Sequence, residues 1–240
     1  MISLRKSLIG QAYRQILYQK ANITIKGGNN LQKIKFNELK DVVKKFKFDV
    51  KYYNNNVGKK FIEVYHIHEW DHGYDSIYYC INSDGSVRNT FKNTRRQFYS
   101  DMKEMIHFLC DYINYNHITN LITAPLFLNS WISCESYSEV KDIYSEIVLF
   151  LKKNQIRKNS KNGAKFEISE NIKNLEMLVE GAFRGVSNAC FLFQQNNVVI
   201  EPSHHFNFIF YPNDFEKEKK VITALLKKHS NLQYYESSLK

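Results

Sequence analysis

An α+β fold, with an antiparallel sheet and flanking helices, is what this chain predicts, and three observations predict it. Stretches with apolar residues three and four apart alternate with short runs rich in β-branched and aromatic residues. Two pairs of those runs are folded back by turn residues, Asn82-Ser83-Asp84-Gly85 in one and Gln195-Asn196-Asn197 in the other, which makes them hairpins. The order helix, strand, hairpin, helix also occurs twice, which sets two repeated halves as an alternative beside a single α+β domain with one antiparallel sheet.

In chain order, Leu4, Leu8, Ala12 and Ile16 recur on one face and predict a helix over residues 3–20. "NITIK" reads as a short strand before the Gly27-Gly28-Asn29-Asn30 turn. "NELKDVVKKFKF" predicts a second helix, with Leu39, Val42, Val43 and Phe46 inward. "KKFIEVYHIHEW" is a strand, and "DSIYYCI" and "SVRNTF" flank the Asp84-Gly85 turn. Met102, Met105, Ile106, Leu109 and Ile113 define a helix over residues 98–115. "NLITAPLFLNSWISCESY" has no clear period and reads as an apolar connection. It leads to a helix capped by Ser138, "EVKDIYSEIVLFLKKNQI". Ile172, Leu175, Leu178, Val179 and Ala182 predict another helix. "NACFLFQQNNVVIEP" is a hairpin and "HHFNFIFY" a further strand. A last helix starts from Asn213 as N-cap, with Glu216 three residues on.

The polar, basic run "RKNSKNGAK" divides the chain. An N-terminal α+β half covers residues 1–156, a basic linker 157–165, and a C-terminal α+β half 166–240, the two packed as one unit. A shift of 112 residues superposes Gly73 on Gly185 and Phe98-Tyr99 on Phe210-Tyr211. The same shift demands a strand near residue 175, where the periodicity is helical.

A composition of 43% hydrophobic and 15% aromatic residues supports a packed core and argues against disorder. Nine glycines and three prolines are too few for folds built on Gly-rich loops. Cys80, Cys110, Cys134 and Cys190 are scattered without a C-x-x-C pair, which points to a reducing cytoplasm rather than a disulfide framework. No 18 apolar residues run together, so no membrane helix is expected. The net charge of +10 invites an acidic protein or a nucleic acid as partner.

Chemistry is concentrated in "YHIHEWDH", residues 65–72. On a strand, His66 and His68 share a face with Ile62, Val64 and Trp70, and two imidazoles at i and i+2 can grip one ion. Asp71 and His72 complete a candidate set for a divalent metal such as zinc. The run is H-x-H-x-x-D-H, one residue longer than the H-x-H-x-D-H of metallo-β-lactamase-type hydrolases, whose Gly-rich loops are missing too. The alternative is that both histidines extend a half-buried aromatic rim. Phosphate loops, dinucleotide fingerprints, nucleophile elbows and H-E-x-x-H are all absent.

With those motifs absent, the sequence alone points to a non-enzymatic protein-binding or inhibitor protein without a cofactor. A toxin-neutralising immunity protein or a phage-type inhibitor of bacterial defence is the type expected. Its contact would centre on Trp70, Tyr74 and Tyr78, held by Asp71 and His72 and flanked by Arg95 and Arg96. If Trp70 instead closes the core, the contact must lie elsewhere. The first alternative is a metal-dependent hydrolase or nuclease using His66, His68, Asp71 and His72. The second is a nucleic-acid binder using Arg95, Arg96, Lys152, Lys153, Arg157 and Lys158.

Overall fold

The computed structural model of the protein describes residues 31–68, 70, 91–128, 130–133 and 140–239. The expected N-terminal helix, the "NITIK" strand, the turns at 27–30 and 82–85, and the Ser138 cap lie outside these residues. Among the described residues, the strands are β1 (Gln32–Ile34), β2 (Lys60–His66), β3 (Asn120–Pro125), β4 (Gly163–Glu167), β5 (Ala189–Phe193), β6 (Val198–Ser203), β7 (Asn207–Pro212) and β8 (Leu232–Ser238). The helices are α1 (Phe36–Val43), α2 (Phe91–Tyr115), α3 (Lys141–Lys153), α4 (Ile168–Phe183) and α5 (Phe215–Leu226). All eight strands form one antiparallel sheet in the order β1-β4-β3-β5-β6-β7-β2-β8. This is the α+β architecture the periodicities predict.

Alternation along each strand divides the core in two. Ile62, Val64, Leu121, Phe166, Phe191, Phe193, Phe208 and Phe210 face one side, where α2, α3, α4 and α5 bury Leu109, Ile147, Leu178 and Ile222 against them. Phe61, Ile122, Leu192, Val199 and Tyr211 face the other side, under Leu39 and Val43 of α1 and the following Phe46, Phe48 and Val50. Burying a side chain of this size contributes about 1.5–3 kcal/mol, so both layers are substantial.

Four local expectations are corrected. The apolar connection after residue 119 contains β3, which sits inside the sheet with both faces covered. Such a strand reads as an unbroken apolar run and loses the period of two. Residues 204–206 belong to the β6–β7 turn rather than to β7, and Phe206 takes a φ of 61° there. The cap of α5 is Asp214, whose carboxylate accepts the Lys217 amide at 3.1 Å. Asn213 is occupied instead in accepting the Lys47 amide at 2.6 Å and donating to the Lys45 carbonyl at 2.8 Å. Finally, residues 163–165 of the basic segment are the start of β4, paired with both β1 and β3.

The 112-residue shift carries β2 onto residues 172–178, which lie inside α4. The β5–β6 hairpin turns where its sequence predicts, with Asn197 at a φ of 56°, a conformation asparagine tolerates well. Among the described residues no helix is long and apolar enough to cross a membrane.

Candidate metal centre

β2 runs Ile62, Val64, His66 along its helix-covered face, so the strand carries an imidazole into the core at its last residue. The His66 side chain is 1% exposed. The chain then turns outward: the His68 side chain is 52% exposed, while Trp70 folds back to 7%. Above this strand end lies α2. Its Gln97, Asp101 and Glu104 are spaced i, i+4 and i+7 and share one helical face.

Asp101 is the hub. Its side chain is 4% exposed, yet its Oδ2 accepts from Trp70 Nε1 at 2.8 Å and lies 3.0 Å from His68 Nδ1. Its Oδ1 accepts from Gln97 Nε2 at 2.6 Å. Convergent donors are what makes the burial of a carboxylate tolerable. Glu104 is anchored from the other side, its carboxylate accepting from Asn231 Nδ2 at 2.9 Å, while the Asn231 carbonyl accepts the Ile67 amide. Asn231, the residue before β8, thereby fixes both the strand end and the second acid.

His66 stands between these acids. Its Nδ1 accepts the His68 amide at 3.0 Å. Its Nε2 is buried without a hydrogen-bond partner, 3.7 Å from Asp101 Oδ1 and 3.6 Å from Glu104 Oε2. Burial pushes the His66 pKa down, and the charges of Asp101 and Glu104, together with a weak side-chain contact to Glu104, offset only part of that. The surroundings are aromatic: Phe206 meets His66 edge-on at 6.2 Å, and Phe98 meets Trp70 at 5.5 Å.

The spacing around Nε2 distinguishes two kinds of contact. An imidazole N–H donating to a carboxylate closes to about 2.8 Å. Ligand atoms each about 2.1 Å from a tetrahedral ion lie about 3.4 Å apart. The His66 separations of 3.6 and 3.7 Å resemble the second case, whereas His68 Nδ1 at 3.0 Å from Asp101 Oδ2 is a contact of the first kind. His66, His68 and Asp101 each offer one ligand atom, all within 4.8 Å of one another. His229 provides the contrast. Its Nε2 meets Asp111 Oδ2 at 3.2 Å, an ordinary histidine–carboxylate contact that needs nothing between.

Loading an ion on His66 Nε2 moves the ring proton to Nδ1 and gives up the His68 amide contact. That contact is worth about 1 kcal/mol. A transition metal on a full protein ligand set contributes on the order of 10 kcal/mol.

Of the residues singled out from the sequence, His66 and His68 come together here, whereas Asp71, His72, Tyr74 and Tyr78 lie outside the described residues. Trp70 is no exposed anchor: it closes the core and holds Asp101. Arg95 is half-buried with its guanidinium 5.8 Å from the Tyr99 ring, and Arg96 is exposed. Sequence reasoning missed Asp101 and Glu104. A signal existed, because Asp101 falls three after Phe98 and four before Met105, on the apolar stripe of α2 where an acid has no business without a partner. Compared with protein-family models, curated proteins and solved structures, the chain matches none.

Proposed function

We propose that this protein is a metal-dependent hydrolase whose divalent ion is held by His66, His68 and Asp101, with Glu104 at the edge of the site. One observation carries the reading: a fully buried imidazole nitrogen faces two carboxylates at 3.6 and 3.7 Å, too far for a close hydrogen bond to either. A donor set of two imidazoles and a carboxylate suits zinc, manganese or iron. Three protein ligands leave a coordination position open, and the exposed His68 marks the side on which solvent reaches the ion. Bound there, the ion would supply a hydroxide at neutral pH and polarise the bond to be cleaved. Gln97 and Trp70 would act through Asp101 by fixing its carboxylate.

The protein-binding reading has lost its central aromatic to the core, which is why the metal reading ranks above it. The test is elemental analysis of the purified protein, followed by cobalt titration of chelator-treated protein and a panel of phosphoester, ester and amide substrates. Near-stoichiometric metal, a tetrahedral cobalt spectrum lost in Asp101→Asn, and metal-dependent cleavage of one substrate class are expected. Protein that takes up no zinc, manganese, iron or cobalt would sink the proposal. A tightly bound metal without any hydrolysis would reduce it to a structural site.

A further inference from the structure

We infer that the outer edge of β8 is the docking surface for a second copy of this chain, whose own β8 adds to it antiparallel about a two-fold axis at Tyr234. The two edges of the sheet are unlike. β1 is three residues long and carries Lys33, both of which discourage pairing. β8 runs for seven residues, Leu232–Ser238, without lysine, proline or glycine. Its bonds to β2 fix which backbone groups are left over. The Ile67 amide donates to the Asn231 carbonyl and the Leu239 amide to the Lys59 carbonyl. In the register that joins them, the odd-numbered residues of β8 bond to β2 and the even-numbered ones point outward. The Tyr234 and Glu236 N–H and C=O groups thus stand at the edge, and no backbone group among the described residues meets them.

The even-numbered side chains also share the helix-covered face. Leu232 and Tyr234 pack on the core there, and Glu236 meets Lys219 of α5 at 2.7 Å. Further along α5, Thr223, Leu226 and Lys227 line a groove of about 440 Å³ together with Leu232, Gln233 and Tyr234. Pairing even with even leaves three registers that overlap most of β8. Centring on Glu236 sets the two glutamates against each other. Centring on Tyr235 puts Ser238 opposite Leu232 and gives Lys227 no acid. Centring on Tyr234 puts Glu236 of one copy opposite Leu232 of the other, next to Lys227, which pairs with no acid among the described residues. The Tyr234 side chains then meet at the axis, beside the apolar part of the groove at Leu226. Charge therefore selects both the occupant and the register. The contact is isologous, so each copy gives one Glu236 and receives one at Lys227. No residue of it holds the proposed ion, so association and metal loading are read independently.

Sedimentation equilibrium of the full chain over a range of concentrations tests this. A monomer–dimer equilibrium is expected, weakened about ten-fold or more by Glu236→Lys and by Lys227→Glu, since each sets like charges together at both ends of the contact. Mixing the two variants restores both opposite-charge pairs. A one-to-one heterodimer, tighter than either variant's homodimer, is therefore expected in native mass spectrometry. Lys228→Glu makes the same charge change outside the groove and should leave dissociation within about two-fold. Melting curves verify that each variant is folded. If loss of the Lys219 bridge unfolds Glu236→Lys, the contrast between Lys227→Glu and Lys228→Glu decides. A parent chain that stays monomeric at about 1 mM overturns the inference. So does a dimer that neither variant weakens, a mixture that forms no heterodimer, or a monomer whose groove takes an acidic peptide instead.

Discussion

Trp70 shows how one side chain can be claimed by two roles with opposite consequences. An exposed tryptophan beside a turn is a contact anchor, whereas a buried one is part of the core. Here the indole packs edge-on against Phe98 and lies 6.3 Å from Phe206, and its N–H is a donor on Asp101. Trp70→Ala is therefore expected to lower unfolding stability by about 3–5 kcal/mol, measured by denaturant titration. Trp70→Phe keeps most of the apolar volume but leaves Asp101 one donor short, so it should lose metal affinity out of proportion to stability. A Trp70→Ala protein that melts like the parent would refute this placement.

At the scale of elements, strand register creates a charge problem that helix packing does not solve. Glu63 on β2 and Glu201 on β6 both pair with Ile209 of the intervening β7, so the two carboxylates share the sheet face of α1. Tyr211 donates to Glu201 Oε2 at 2.9 Å, and Asn207 Nδ2 donates to Glu63. Burial, with the Glu63 charge adding to it, pushes the Glu201 pKa from the usual 4.5 up to about 7. A carboxyl raised on folding holds its proton more tightly in the native state. Its contribution is complete below about pH 4.5 and is lost as pH rises through about 7. The loss is at most about 3 kcal/mol, at 1.36 kcal/mol per unit. Glu201→Gln should flatten the stability profile between pH 5 and 8 by roughly that amount, as read from urea midpoints. An unchanged profile would show that Glu201 is solvated.

For the whole molecule, strand order matters more than chain order. β1, β2 and β3 precede the basic segment, β4 begins within it and β5 to β8 follow it, yet β2 lies between β7 and β8 while β3 lies between β4 and β5. Cutting the chain at residue 160 would leave β2 without both neighbours and expose the apolar faces of β5, β6 and β7. Fragments 1–160 and 161–240 are therefore expected to be unfolded or aggregated when expressed apart, and to regain a cooperative melt only when expressed together. A C-terminal fragment that melts cooperatively alone would show an independent half.

What the sequence determined by itself is whatever depends on near neighbours. Residues three and four apart settle the faces of α2 and α4, Gln195-Asn196-Asn197 turns the β5–β6 hairpin, and alternation sends His66 to the face of Ile62 and Val64. Only the tertiary structure decided which distant side chains meet. Asp101 approaches His68 across 33 residues because α2 packs over the end of β2, and Lys33 reaches Gln155 across 122 because β1 pairs with β4. β3 was illegible for the same reason, since only a neighbour on each side and a layer on each face make an unbroken apolar run a strand. Periodicity is a property of a segment, whereas burial of a charge is a property of the pairings among segments. Those pairings depend on contacts that no local window contains.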